Sequence, residues 1–323
     1  MPAPAGRVEI VRRDGRTGSK PVSLLRRMAG LLLGAALLAG VLLAGAVPSR
    51  RHSECVPLLV AAEGGRLTGA SPAEEIVWHA GRVVLRGRAS TTELFRTSDH
   101  VLKVIWAQPP GSEPQLLVLT TEDATSPQPR GSRLYLVDPA GSRPPRRLSP
   151  EAGYNFWDVS AGDVDGDGCE EIGLCTYSQT ARDPHFARRF FVYSWDETGD
   201  LYPRWRGSRL CRPYLSARLA DVAGDEKAEL LSAEVALTGK QIVVAYEWNQ
   251  FGFWGLGHSP EYERVLEVAA RRESVSGEKA IGALVATPDG GNHRVRLVVE
   301  HSRLRPVSRE PDRRITHLTK PGG

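Results

Sequence analysis

Three segments of this chain follow one pattern, and that pattern limits the architecture it can build. Tyr135-Leu136-Val137-Asp138-Pro139-Ala140-Gly141 lines up with Tyr193-Ser194-Trp195-Asp196-Glu197-Thr198-Gly199, and both line up with Tyr246-Glu247-Trp248-Asn249-Gln250-Phe251-Gly252. Each predicts a strand that ends in an Asp- or Asn-initiated turn and returns through a second strand, which is hairpin chemistry. The period, about 50–60 residues, lies in the range of propeller blades rather than helical solenoids. Such a unit is a small sheet with two apolar faces, so it becomes stable only by stacking on its neighbours.

Between these hairpins lies the densest chemistry in the chain. Asp163-Val164-Asp165-Gly166-Asp167-Gly168-Cys169-Glu170-Glu171 alternates carboxylates with small or neutral residues and closes on a fourth acid at its ninth position. Hard divalent cations take several oxygens at about 2.3–2.6 Å, and alternate residues of a tight loop can point that many inward. Gly168 permits the sharp turn that a Cβ would obstruct. An EF-hand loop needs an acid at its twelfth position, and Leu174 stands there. The flanks, Phe156–Ala161 and Ile172–Tyr177, are short and rich in β-branched or aromatic residues, so the loop joins two strands. Asp221-Val222-Ala223-Gly224-Asp225-Glu226-Lys227-Ala228-Glu229 echoes it position for position. Ala223 removes the third-position acid there and Glu226 replaces the glycine, so this copy is expected to hold no ion. Gln108-Pro109-Pro110-Gly111, ahead of Gln115–Val118, reads as a further relic.

The acidic loop between strands resembles the cation loop of FG-GAP (VCBS-type) repeats, known from integrin α-subunit propellers and many bacterial surface proteins. That resemblance implies calcium as a structural cofactor, held by Asp163, Asp165, Asp167 and Glu171 with a main-chain oxygen from Cys169. Glu171 departs from the Asp more usual at position nine. The resemblance is strong over roughly Val101 to Gly257 and weak at both ends. Outer strands at Arg82–Gly87 and Thr92–Arg96, and further ones at Ala280–Val285 and Val295–Glu300, complete the expectation. It is an all-β, propeller-like array of about five four-stranded blades; a pair of β-sandwiches is the alternative.

The N-terminus carries a second signal. Met28 to Val47 is about 20 uncharged residues, long enough to span a bilayer as a helix. Arg7, Arg12, Arg13, Arg16, Lys20, Arg26 and Arg27 precede it against only Glu9 and Asp14, which keeps the N-terminus cytoplasmic and sends the C-terminal mass across. The expected organisation is a basic arm over 1–27, a transmembrane signal-anchor over 28–47, a linker over 48–56, the repeat domain over 57–302 and a disordered basic tail over 303–323. Ala44-Gly45-Ala46 leaves cleavage after Ala46 as the alternative to an uncleaved anchor. Ser53-Glu54 ahead of Cys55 does not suit a lipidated cysteine.

Composition fits a globular domain outside the cell. The chain is 41% hydrophobic and 25% charged, with 33 Gly and 23 Pro, as a turn-rich β protein requires. A net charge of +4 is small for the length, and this topology argues against a nucleic-acid partner. The four cysteines Cys55, Cys169, Cys175 and Cys211 permit disulfides without selecting a pairing.

No catalytic constellation stands out: Ser276-Gly277-Glu278-Lys279 matches S-x-x-K, but in a loop-like stretch without partner motifs, so chance is the better account. The eight histidines show no His-x-x-x-His spacing, no G-x-S-x-G elbow occurs, and the pairs Glu74-Glu75 and Glu170-Glu171 point apart on a strand. Trp157, Trp195, Trp205, Trp248 and Trp254 recur at the repeat's structural positions and are expected in the blade core. The favoured reading is a non-catalytic, membrane-tethered binding, adhesion or scaffold module for an extracellular protein or glycan. The alternative is an extracellular polysaccharide lyase or hydrolase carried on a propeller.

Overall fold

A computed structural model describes residues 64–68, 74–124, 131–148, 150, 154–180, 183–207, 209–272, 279–288, 290–300 and 303–311. The basic arm, Met28–Val47, the Ala46 cleavage site and Cys55 lie outside the described residues. The described residues, 64 to 311, all fall in one compact unit.

The described residues are all-β, in five four-stranded antiparallel sheets taken strictly in chain order. The first holds β1 (Gly64–Thr68), β2 (Glu75–His79), β3 (Arg82–Arg86) and β4 (Thr91–Arg96); the second β5 (His100–Ala107), β6 (Gln115–Thr121), β7 (Arg133–Val137) and β8 (Arg146–Leu148). The third holds β9 (Asn155–Gly162), β10 (Glu171–Thr180), β11 (Asp183–Trp195) and β12 (Leu201–Arg206). The fourth holds β13 (Tyr214–Ala220), β14 (Glu229–Val235), β15 (Gln241–Trp248) and β16 (Phe253–His258). The fifth holds β17 (Arg264–Arg272), β18 (Lys279–Ala286), β19 (Asn292–Glu300) and β20 (Arg303–Pro311). The three aligned hairpins are the third and fourth strands of sheets two, three and four, each in its own sheet.

Burial explains why the inner strands read as continuous apolar runs instead of alternating. Both faces of a middle sheet are covered by its neighbours. On β6, Leu116 and Val118 pack toward the first sheet while Leu117 and Leu119 pack toward the third. On β15, Ile242, Val244 and Tyr246 join the core shared with sheet three, and Val243 and Ala245 the core shared with sheet five. The core is thus a series of slabs between successive sheets. Each fully buried aliphatic side chain in them contributes about 1.5–3 kcal/mol.

The meander gives every sheet two distinct ends. Turns joining first to second and third to fourth strands share one, the loop end; turns joining second to third strands share the other, the hairpin end. Contacts between sheets show that like ends coincide. At the loop end Ala228 N–H donates to Asp163 O at 2.6 Å, and Gln108 N–H to the Glu170 carboxylate at 3.0 Å. At the hairpin end Arg209 binds Asp183 at 2.8 Å and Lys240 binds Glu263 at 2.9 Å.

Two expectations are corrected. Residues 303–311 are not tail: they form β20, paired with β19 from Glu300↔Arg303 to His293↔Pro311, with Leu304 buried. An outermost strand tolerates charge along its length, so basic composition there did not signal disorder. Trp254 is 63% exposed, whereas Trp195 is buried and Trp157, Trp205 and Trp248 pack against the core.

Candidate metal loop

The two echoing loops, 163–171 and 221–229, share one internal scaffold. Asp163 accepts Gly166 N–H at 2.7 Å and Gly168 N–H at 2.8 Å on its two oxygens. Asp221 accepts Gly224 N–H at 2.7 Å and Glu226 N–H at 2.9 Å in the same way. Asp167 caps Cys169 N–H at 2.8 Å, as Asp225 caps Lys227 N–H at 3.1 Å. The ninth-position glutamates turn back as well: Glu171 accepts Val164 N–H at 3.0 Å, and Glu229 accepts Val222 N–H at 2.7 Å. These bonds satisfy amides that a tight turn leaves without strand partners. They explain why both loops keep acids at positions one, five and nine.

The sixth position carries the same logic. Gly168 has φ +85°, and Glu226, its counterpart, sits at φ +71°. A non-glycine residue in the left-handed region is strained, so the second loop retains the geometry at a conformational cost.

What separates the loops is convergence. Ligand oxygens of Asp163, Asp165 and Glu171 all lie within 4.8 Å of one another. The exposed Asp167 stands outside this trio, and Cys169 takes part in the loop through its capped N–H. Asp165 has no counterpart in the second loop, where Ala223 stands.

Into the trio reaches Arg204 of β12. Its guanidinium donates to Asp165 and, at 2.6 Å, to Glu171, which also accepts the Ser194 hydroxyl at 3.2 Å. The same guanidinium lies 5.5 Å from the centre of the Trp248 ring, in the next sheet. Nothing in the local spacing of the acids pointed to Arg204.

Burial pushes the Glu171 carboxyl upward, against the Val164 amide and Arg204, which pull it down. Burial raises Glu229 to about 7, and Asp225 and Asp221 push it the same way.

The trio fits a divalent cation in one respect beyond its charge. Asp165 Oδ1 is buried and has no hydrogen-bond partner, so its lone pairs are available to a cation. Three carboxylates against one guanidinium leave the cluster net negative. A calcium ion there would be held by Asp163, Asp165 and Glu171, with Arg204 sharing or yielding its place.

Two further acids are held by neighbouring side chains, Glu234 through one oxygen only, its Oε2 being buried without a hydrogen-bond partner. Glu234, fully buried, accepts the Tyr246 hydroxyl at 2.6 Å and the Ser232 hydroxyl at 2.8 Å. Asp158 pairs with Lys103 between sheets two and three. Cys169, Cys175 and Cys211 are free thiols; Cys175 is buried, donates to Ala217 O at 3.2 Å, and is held above the usual thiol range by burial.

No protein-family model matches the chain, and no curated protein matches it.

Proposed function

We propose that this chain is an FG-GAP-like repeat β-propeller, tethered to the cell membrane by Met28–Val47 with its C-terminal domain outside the cytoplasm. It acts there as a non-catalytic binding, adhesion or scaffold module for an extracellular protein or glycan. The observation that carries the reading is the run of five four-stranded meanders, each packed on the next. Calcium at Asp163, Asp165 and Glu171 is structural in this reading, bracing the loop end of sheet three beside the 221–229 loop.

The non-catalytic part is supported by how the acids are used. Glu171 and Glu229 brace loop amides, and Glu234 accepts two hydroxyls, so each serves the fold. A general acid or base needs a carboxyl within reach of substrate.

The deciding experiment is membrane fractionation with protease shaving of the full chain. An uncleaved anchor resists carbonate extraction, and protease added from outside digests only the C-terminal domain. A soluble product beginning at Val47 would replace the anchor with a cleaved signal. An experimental structure of the domain in which sheets one and five do not meet would overturn the propeller reading.

A further inference from the structure

The connection between sheets three and four is pinned on both sides of an exposed thiol. Leu210 is buried in the core shared by those sheets, and Pro213 O accepts Val235 N–H at 2.8 Å. Cys211 lies between these two anchors, exposed and unbridged. The other two described cysteines are less open. Cys175 is buried in the core, and burial, with Asp167, Glu171 and Asp163 adding to it, holds the Cys169 thiol above its usual range.

From this thiol a hydrogen-bonded chain runs into the core. The Tyr246 hydroxyl, on β15, donates to Glu234 Oε1, on β14, at 2.6 Å. Its oxygen lone pairs are left for the Cys211 thiol, its other hydrogen-bond partner. Ser232 donates to the same carboxylate oxygen at 2.8 Å. Glu234 is fully buried, and its Oε2 has no hydrogen-bond partner. Arg212, next to Cys211, places a guanidinium nitrogen 3.9 Å from that oxygen.

A buried carboxylate short of one hydrogen bond is destabilising, and taking up a proton relieves it. Burial accordingly raises the Glu234 pKa, against Tyr246, Ser232, Arg212 and His258, which lower it. Burial also holds the Tyr246 hydroxyl above the usual phenol range, so this group passes a proton on and does not itself stay ionised. The chain thus joins a solvent-facing S–H to a buried base through one hydroxyl.

We propose that Cys211 is a modification site that takes a thiol cap from a low-molecular-weight disulfide, with Glu234 drawing off the thiol proton through Tyr246. The Cys211 proton passes to the Tyr246 oxygen as the Tyr246 proton passes to Glu234. The Cys211 sulfur attacks one sulfur of the disulfide; a new S–S bond forms, the old one breaks, and the departing sulfur is reduced as Cys211 is oxidised. The proton then returns through Tyr246 to the departing thiolate, leaving Glu234 as it began. Arg212, its side chain 34% exposed, offers positive charge to an anionic disulfide. Glu234 meets no reactant itself and acts as a positioning residue. The inference goes beyond the adhesion reading and does not rest on it.

The test is the rate at which glutathione disulfide modifies each cysteine of the full chain, followed by peptide mass mapping across a pH series. Near neutral pH, Cys211 should react several-fold faster than the same cysteine in a synthetic 207–215 peptide. Its pH–rate profile should show a shoulder below the ordinary thiol pKa of about 8.5. Glu234→Gln, which keeps an acceptor for the Tyr246 and Ser232 hydroxyls, should bring the rate down to that of the peptide and remove the shoulder, as should Tyr246→Phe. Cys175 reports on the fold, since it stays unmodified while the core is intact; if Tyr246→Phe exposes it, Glu234→Gln decides. A parent Cys211 no faster than the peptide, or one pH profile shared by the parent and Glu234→Gln, overturns the proposal.

Discussion

Arg204 lies 2.6 Å from Glu171 and reaches Asp165 with its other terminal nitrogen, so a side chain of the outermost strand supplies positive charge to the acidic loop. Without it, two of the three converging carboxylates would lose the guanidinium that binds them, which simple electrostatics disfavours. The arginine is 25% exposed, so solvent can take it up when a metal ion enters, and its guanidinium already lies 5.5 Å from the Trp248 ring centre.

The first prediction follows from that competition. Arg204→Ala should increase the calcium dependence of unfolding: chelator lowers its melting temperature more than that of the parent protein, and millimolar calcium restores it. Binding only the folded state contributes about 1.4 kcal/mol at tenfold excess over the dissociation constant. Asp165→Ala should remove the calcium response, and Asp221→Ala should leave it in place. Calorimetry showing no calcium heat for either the parent or the Arg204→Ala protein would reject calcium at this loop.

Glu229 predicts a pH dependence of the opposite sense to ordinary acid denaturation. Burial raises its folded-state pKa to about 7 from the usual 4.5. The folded protein holds this proton where the unfolded chain has released it. Stability from Glu229 is therefore fully present below pH 4.5 and is lost as pH rises through 7, by about 3 kcal/mol in all. Glu229→Gln keeps an acceptor for Val222 N–H and removes the titration. The parent-minus-variant stability difference, read from denaturant melts, should fall between pH 4.5 and 7; a flat difference would show that Glu229 does not titrate in this window.

The repeat was legible in sequence because it is local. A turn signal, an apolar run and a glycine recur within a few residues of each other at Tyr135, Tyr193 and Tyr246, and the five sheets follow from that spacing. The acidic loop was legible for the same reason. Arg204 was not, since it meets Asp165 from 39 residues away and no spacing rule links them. The Lys103–Asp158 pair spans 55 residues and was equally hidden. Trp254 was misplaced because β16 is the outermost strand of its sheet, where one face stays open to water.

Close packing between sheets three and four supplies the next prediction. A Cβ built on Gly162 would stand 2.5 Å from the Cβ of Ala228, in the loop ahead of β14, and 3.2 Å from that of Leu219 in β13. Neither neighbour is the mobile end of a long side chain. Gly162→Ala should cost about 1–3 kcal/mol through overpacking. Gly255→Ala, where the added carbon meets nothing, should be close to neutral in the same denaturant melts. Equal effects at the two positions would contradict this contact between the sheets.

The last prediction concerns the pair that ties sheets two and three. Lys103 and Asp158 face each other with side chains only 9% and 15% exposed. Burial lowers the Lys103 pKa, while Asp158 pulls it back up and Arg218 pushes it further down. Removing one partner leaves the other charge buried and uncompensated, a loss of about 3–5 kcal/mol. Lys103→Met should therefore be strongly destabilising. Removing both charges in Lys103→Met with Asp158→Leu should recover much of the loss, because a well-packed apolar pair of similar volume avoids desolvating either ion. A double variant as unstable as the sum of its single changes would mean that the two residues act independently and that the pair does not couple the sheets.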